Sequence, residues 1–376
     1  MIESSMRADR VVLTRAATLA VGATFLFMGL VVSAYGPLLE HLTHRFGVSL
    51  PVAGSTISVH FAASLFGVFA AMRSMRTWPA RTTLMVATAL VAAGCVAVAV
   101  APTWPAFVVA VAIVGFGFGA LVLGVNQVVA YSEGERRAAL LSALNGAYSA
   151  GAVAGPVLVA AFAAAHFSLL YLAAAALALA IVPGDLRIRG RLPTSAGAPA
   201  RPGPLVLIFV CAFVLYVAVE NGTGGWMTSH LESVGLGSAK AAVVTSGFWL
   251  ALVTGRLLIT LVPSHVGEAR IVLGAAALGT IALAAASIGP LAPFAYIVAG
   301  LAIAPIFPTG IVWLARLRPG DSRATSWLYP AASIGGTFGP GVIGVVIAHA
   351  GVGWAPAVLA AAALGMFVMF FVASRR

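Results

Sequence analysis

Residues 84–101 read LMVATALVAAGCVAVAVA, eighteen positions without a charge and with one threonine as the only hydroxyl. A strand of a membrane barrel would alternate polar and apolar residues over about ten positions, whereas this run does not alternate and approaches the ~20 residues a helix needs to cross hydrocarbon. The rest of the chain has the same texture: 61% of its 376 residues are apolar and only 8% charged, against about 25% charged in soluble domains. Soluble classes are excluded. Because backbone amides inside a bilayer must be satisfied within the protein, only helices or a closed barrel remain, and the long unbroken runs select helices.

Apolar length, Gly/Pro punctuation and charged interruptions predict spans near 13–39, 51–72, 81–101, 105–131, 138–163 and 167–183, then 205–231, 238–262, 270–289, 291–315, 323–348 and 352–373. The expected organisation is a six-helix bundle over 1–183, a polar cytoplasmic linker over 184–204 and a second six-helix bundle over 205–376. Twelve spans put both termini on one side. With that topology the basic residues divide nineteen to two, Arg45 and Lys240 standing alone on the opposite side, so the positive-inside rule places both termini in the cytoplasm of a bacterial-type plasma (inner) membrane. The run from Val11 to Leu39 has no cleavage site and reads as a retained first helix.

The net charge of +11 follows this topology in short clusters, which argues against a nucleic-acid partner. Cys95 and Cys211 sit inside apolar runs and offer neither a disulfide framework nor metal-ligand spacing. No cofactor or metal is expected. The partners implied are the lipid bilayer and a small-molecule substrate, with the chain acting as a monomer.

The two sets of helices repeat one another. SAGAVAGP at 149–156 recurs as SIGGTFGP at 333–340, so that Ser149, Gly151, Gly155 and Pro156 return as Ser333, Gly335, Gly339 and Pro340 at a constant offset of 184. Glycines spaced by four admit a neighbouring helix closely. Spans three, six, nine and twelve are nearly free of polar residues at their centres, while spans one, four, seven and ten and their neighbours carry Ser33, Tyr35, His60, Asn126, Gln127, Asn145, Tyr148, Glu220, Asn221, Trp249, Trp327 and Tyr329. Lipid-facing helices are apolar all round and cavity-lining ones need not be. The pattern predicts two pseudo-symmetric bundles around a central polar cavity, as in alternating-access transporters.

Span seven, Tyr216-Val-Ala-Val-Glu220-Asn-Gly-Thr-Gly-Gly-Trp226, is followed by Ser246-Gly-Phe-Trp249 and Gly255-Arg256 in span eight and by Ala304-Pro-Ile-Phe-Pro308-Thr309 in span ten. Span four contributes Gly115-Phe-Gly117-Phe-Gly119 and Asn126. Together these stretches resemble the fucose permease-like sugar porters of the major facilitator superfamily, in particular the branch containing sodium-dependent glucose transporters. The resemblance implies twelve helices and ion-coupled movement of a sugar-like solute. It departs at Ser33 and Val122, where the fucose porter carries acids, and at Gly67 to Arg76, where the wider superfamily has an acid.

Glu220 is the only acid near the middle of a predicted span, 15 residues into span seven and about 22 Å along its helix. Such a group is protonated, paired or hydrated, and it is the expected ion-coupling residue. As an isolated carboxyl it favours a proton; ionised, it would ligate sodium with other oxygens. Expected solute contacts are Tyr216, Glu220, Asn221, Trp226, Trp249, His60, Asn145, Tyr148, Trp327, Tyr329 and Asn126, with Arg73, Arg76 and Arg256 at the gate or the cytoplasmic interface. Close packing of Gly222, Gly224 and Gly225 competes with a loosened helix there. No cation falls near the centre of a span, so the solute is expected to be neutral and polyhydroxylated.

Soluble-enzyme motifs and the phosphate loop are absent, which argues against an enzyme and an ATP-driven pump. Proton-coupled efflux of lipophilic or cationic drugs stands as the alternative, since Gly151-Ala-Val-Ala-Gly155-Pro156 partly matches the fifth-helix motif of drug antiporters. A non-transporting sensor is the further alternative. The topology is tested by an impermeant thiol reagent on Arg45→Cys in a Cys95→Ala/Cys211→Ala background: labelling is expected from outside intact cells, and labelling from the cytoplasm alone overturns the orientation.

Overall fold

The structure, a computed structural model, describes residues 13–130, 132, 137–188, 202–261, 265–318, 324–325 and 327–376. Twelve helices are long and apolar enough to cross a membrane. These are α1 (Arg15–Phe46), α2 (Leu50–Ser74), α3 (Ala80–Val100), α4 (Trp104–Val129), α5 (Ala143–Ala163), α6 (Ala165–Asp185), α7 (Pro204–Ser233), α8 (Ser238–Leu258), α9 (Glu268–Ala285), α10 (Gly289–Leu317), α11 (Pro330–Ala350) and α12 (Val352–Ser374). The all-helical, twelve-span class expected from the sequence is what the chain adopts. Most of the expected linker, 189–201, lies outside the described residues.

Local chemistry sets the ends and breaks. Spans α5 and α6 belong to one run of helix interrupted at His166, whose backbone leaves the helical region (φ −138°, ψ 39°). Helix α7 starts with Pro204 at its first turn after Gly203, where a missing N–H costs nothing. It stops at Gly235 (φ +98°), and the Leu236 N–H closes back on the Leu231 carbonyl at 3.0 Å, a left-handed termination that glycine makes without strain. Helix α10 comes in two pieces, Ala292–Ile303 and Ile306–Leu317, separated at Ala304–Pro305. Helix α8 ends at Leu258, earlier than expected, in a 3-10 turn over Ile259–Leu261.

The chain forms two compact units, one of Met1–Val32, Val59–Gly155 and Phe162–Gly197, the other of Ser33–Ser58, Pro156–Ala161 and Ala198–Arg376. Within the first, the G-x-G-x-G of α4 faces two neighbours. A methyl on Gly115 or Gly119 would run into the carbonyls of His60 or Ser64 on α2, and one on Gly117 would meet Ala87 and Val91 on α3. Gly29 of α1 and Gly151 of α5 similarly abut the backbones of Tyr148 and Leu26.

In the second unit α11 and α12 pack on α7, α10 packs on α8 and α9, and α12 packs on α9. There Gly335 and Gly339 of α11 abut the backbones of Val214 and Ala218 on α7. Each copy of the repeated motif therefore presses on the first helix of its own set. Large apolar side chains such as Phe66, Phe294 and Phe338 stay exposed.

Gly119→Ala forces backbone apart where α2 and α4 touch and should cost about 1–3 kcal/mol. Gly274→Ala, with open space at its Cβ position, is the control. Thermal unfolding of the purified protein should show a lowered midpoint for the first alone.

Candidate functional site

In the second unit α7 and α8 lie antiparallel with a register set by two contacts. The Thr228 and Thr245 hydroxyls meet at 2.8 Å, and the ring of Trp249 lies against Gly224, where a Cβ would come within 2.6 Å of it. In that register Arg256, near the end of α8, reaches the middle of α7. Its Nη2 donates to Glu220 Oε1 at 3.1 Å and to the Tyr216 hydroxyl at 3.4 Å. The Glu220 side chain is 14% exposed and that of Arg256 30%.

The neighbouring residues hold this cluster in place. Gly255 brings α8 against Leu301 and Ala304 of α10, which directs the next residue, Arg256, toward α7. Tyr216 is buried, with the rings of Phe213 and Phe307 at 6.4 and 5.9 Å. Phe307 belongs to the A-P-I-F-P-T stretch.

The pair corrects the expectation of an isolated carboxyl. Equal spans would put the end of α8 level with the beginning of α7. Helix α7 instead has 30 residues to the 21 of α8 and extends beyond it. At 3.1 Å the attraction is about 5 kcal/mol for an effective dielectric near 20, offset by the cost of removing both charges from water. The net gain is small, but separating the charges is expensive.

The other expected site residues fare differently. Trp226 is fully buried, donates from Nε1 to the Pro340 carbonyl at 2.9 Å and packs against Gly54 and Gly344. Its donor is used inside the protein, and in this structure it serves as a packing residue between α7 and α11. The α7 glycines do not loosen the helix: Gly222, Gly224 and Gly225 receive the side chains of Ile343, Trp249 and Ile57. Asn126 bonds the Val122 carbonyl of its own helix at 2.7 Å. His60 is buried with the Phe61 and Phe118 rings at 5.3 and 4.8 Å.

Asn145 is exposed, Tyr148, Asn221 and Trp327 are half-buried, and Arg73 and Arg76 lie exposed at and just beyond the end of α2. The side chain of Tyr329 lies outside the described residues. Trp249 is 2% exposed, and its Nε1 has no hydrogen-bond partner among the described residues. The same holds for Thr223 Oγ1 and Ser246 Oγ.

Two buried polar pairs escaped the sequence reading. Thr88 donates to Asp185 Oδ2 at 3.0 Å in the first unit, the acid having been assigned to the linker. The Tyr296 hydroxyl and His230 Nδ1 lie 3.1 Å apart in the second. No short-range motif marks either pair. Thr88 and Asp185 stand 97 positions apart, and His230 and Tyr296 stand 66 apart.

The Major Facilitator Superfamily profile matches residues 21–292. No match to the sequence of a curated protein is found. Among solved structures, a mutant of the nucleoside transporter NupG superposes with a TM-score of 0.75 at 15% identity, covering 96% of this chain and 99% of that one. A D-xylose-proton symporter gives 0.75 at 15% identity over 94% and 96% of the two chains. A bacterial homolog of the human lysosomal transporter Spinster, inward-facing and occupied, gives 0.73 at 15% over 96% of each. At these identities the likeness is one of fold.

The ion pair makes a thermodynamic cycle informative. Glu220→Gln and Arg256→Met each leave a half-buried charge without its partner, whereas the double variant leaves none. Each single variant is expected to unfold at lower temperature than the double, with a coupling energy of about 0.5–3 kcal/mol. Additive losses would mean that the two side chains act independently.

Proposed function

The chain belongs to the major facilitator superfamily, and from that premise we propose that it is a secondary active transporter of a small, neutral, polyhydroxylated solute, driven by protons. It is a multi-pass membrane transporter rather than an enzyme. The proposed cycle has the six-helix halves, 1–183 and 205–376, rock about a central cavity in the plasma (inner) membrane, with both termini cytoplasmic and the monomer as the working unit.

The observation that carries the solute class is the cluster of Glu220, Arg256 and Tyr216. It sums to no net charge yet offers guanidinium donors, carboxylate lone pairs and a phenol. A neutral solute rich in hydroxyls can bond to such a set without introducing a charge. A free anion would compete with Glu220 for Arg256, and a lipophilic cation would compete with Arg256 for Glu220. The second competition counts against drug efflux. The nucleoside transporter and the D-xylose-proton symporter among the structures of like fold have named cargoes that fit the same solute class.

The pair also bears on the coupling ion. A sodium ion on Glu220 would sit beside a guanidinium at 3.1 Å from the same carboxylate and would want several further oxygens. A proton neutralises the carboxylate without adding a neighbouring cation. In the proposed cycle, protonation of Glu220 frees Arg256 to donate to the solute and to Tyr216, and deprotonation on the other side restores the pair. One proton enters and leaves Glu220 in each turn.

In proteoliposomes with an imposed proton gradient, Glu220→Gln is expected to lose uphill accumulation while retaining solute exchange, so that the inside-to-outside ratio settles near one. Undiminished concentrative uptake by that variant overturns the coupling role. A thermal-shift screen of wild-type protein against neutral sugars, organic anions and lipophilic cations tests the solute class: stabilisation by anions or cations alone overturns it.

A further inference from the structure

Serines and threonines inside these helices usually satisfy their hydroxyls on the preceding turn. Thr24, Thr245, Thr254, Thr280 and Thr337 each donate to the carbonyl four residues back, at 2.8–2.9 Å. Thr223 on α7 and Ser246 on α8 have the same option and do not take it: Thr223 Oγ1 and Ser246 Oγ are buried without a hydrogen-bond partner among the described residues. Trp249 Nε1, which can only donate, is in the same position. The residues are 0%, 7% and 2% exposed, and a buried polar atom left without a partner is destabilising.

Trp249 and Ser246 share one side of α8, and Thr223 precedes the α7 glycine on which Trp249 packs. Trp249 lies against Gly224, the residue after Thr223, with its Cε2, the ring carbon bonded to Nε1, 3.4 Å from the Cβ position of that glycine. Ser246 is three residues before Trp249 on α8, one turn along the same side of the helix. Arg256, seven residues after Trp249 on that side, carries the strip to Glu220 and Tyr216. Its neighbour Thr245 is fully employed, bonding Ala241 and meeting Thr228, so the helix contact itself does not need the Ser246 hydroxyl.

We infer that Trp249, Ser246 and Thr223 form a hydroxyl-reading subsite one turn of α7 beyond the Glu220–Arg256 pair, selecting a ring-shaped polyol by hydroxyl groups along one edge. The chemistry is complementary. The indole N–H needs an acceptor, and the two hydroxyls can each donate and accept. A sugar hydroxyl accepts from the indole and donates to serine or threonine, while a carbon lacking that hydroxyl leaves the indole unsatisfied. Discrimination against a deoxy analogue therefore comes from the protein's own buried polar atoms. The inference rests on the neutral-solute reading above and adds the residues that set its specificity.

The test uses the purified full-length protein and a panel of monosaccharides with their mono-deoxy counterparts, affinity being read from titrated thermal shifts. Trp249→Phe keeps an aromatic ring and removes the N–H. For the sugar that stabilises wild type best, this variant should weaken binding about tenfold. For the counterpart lacking the hydroxyl it reads, the change should be less than twofold. In the absence of sugar, Ser246→Ala and Thr223→Val should unfold at the wild-type temperature or above, because each removes an orphan.

Equal weakening toward both sugars, unchanged binding, or a lowered sugar-free midpoint in the serine and threonine variants overturns the subsite while leaving the solute class standing. A wild-type protein that no sugar of the panel stabilises overturns the solute class, and the subsite with it.

Discussion

Inside a bilayer the hydrophobic effect does not draw helices together, since lipid tails are as apolar as leucine. Close contact between backbones takes its place, and this constraint governs the chain from end to end. Gly29 and Gly151 join α1 to α5, Gly115 and Gly119 join α4 to α2, and Gly335 and Gly339 join α11 to α7, each where any side chain would collide with backbone. Dispersion and weak Cα–H···O contacts gain from that proximity. The glycines at these contacts are thus less a source of looseness than a means of assembly, and α7 stays helical through Gly222, Gly224 and Gly225, whose notches are filled by side chains.

Helices held this close can carry polar groups through the interior only if those groups find partners across the contact. Arg256 is delivered to Glu220 by Gly255, whose close approach to α10 leaves the arginine side chain directed at α7. A carboxylate and a guanidinium at this separation stabilise little once their desolvation is counted. In the proposed cycle their value lies in coupling, because whatever neutralises one of them changes what the other does. Tyr216, sharing the guanidinium with Glu220, is placed to respond to the same event.

Much of the architecture was legible in the sequence because it depends on properties that accumulate along a helix. Apolar length marked the twelve spans, and the recurrence of Gly151 as Gly335 marked the duplication. Glu220 stood out because an acid in hydrocarbon needs an explanation. Its partner did not, because the level at which Arg256 meets α7 depends on how far α7 projects beyond α8, and local composition does not encode relative depth. The Asp185–Thr88 pair was hidden for a similar reason: helix α6 runs two residues past the expected boundary and takes the aspartate into a buried position. The side chain of Tyr329 and much of the linker lie outside the described residues.

Trp226 and Trp249 show why residue type alone could not sort packing from binding. Both are buried indoles on helices of the same unit, and both were expected to face the solute. Trp226 meets α11 at Pro340, whose carbonyl oxygen accepts its N–H. A carbonyl has two lone pairs, so an indole can bond it without displacing a helix hydrogen bond. Trp249 instead turns its ring onto Gly224, a contact that satisfies the ring but not the nitrogen. The fold settles one indole in full and leaves the other with an unspent donor, although the two side chains are chemically identical. The first holds α7 to α11, and the second is the donor of the proposed subsite.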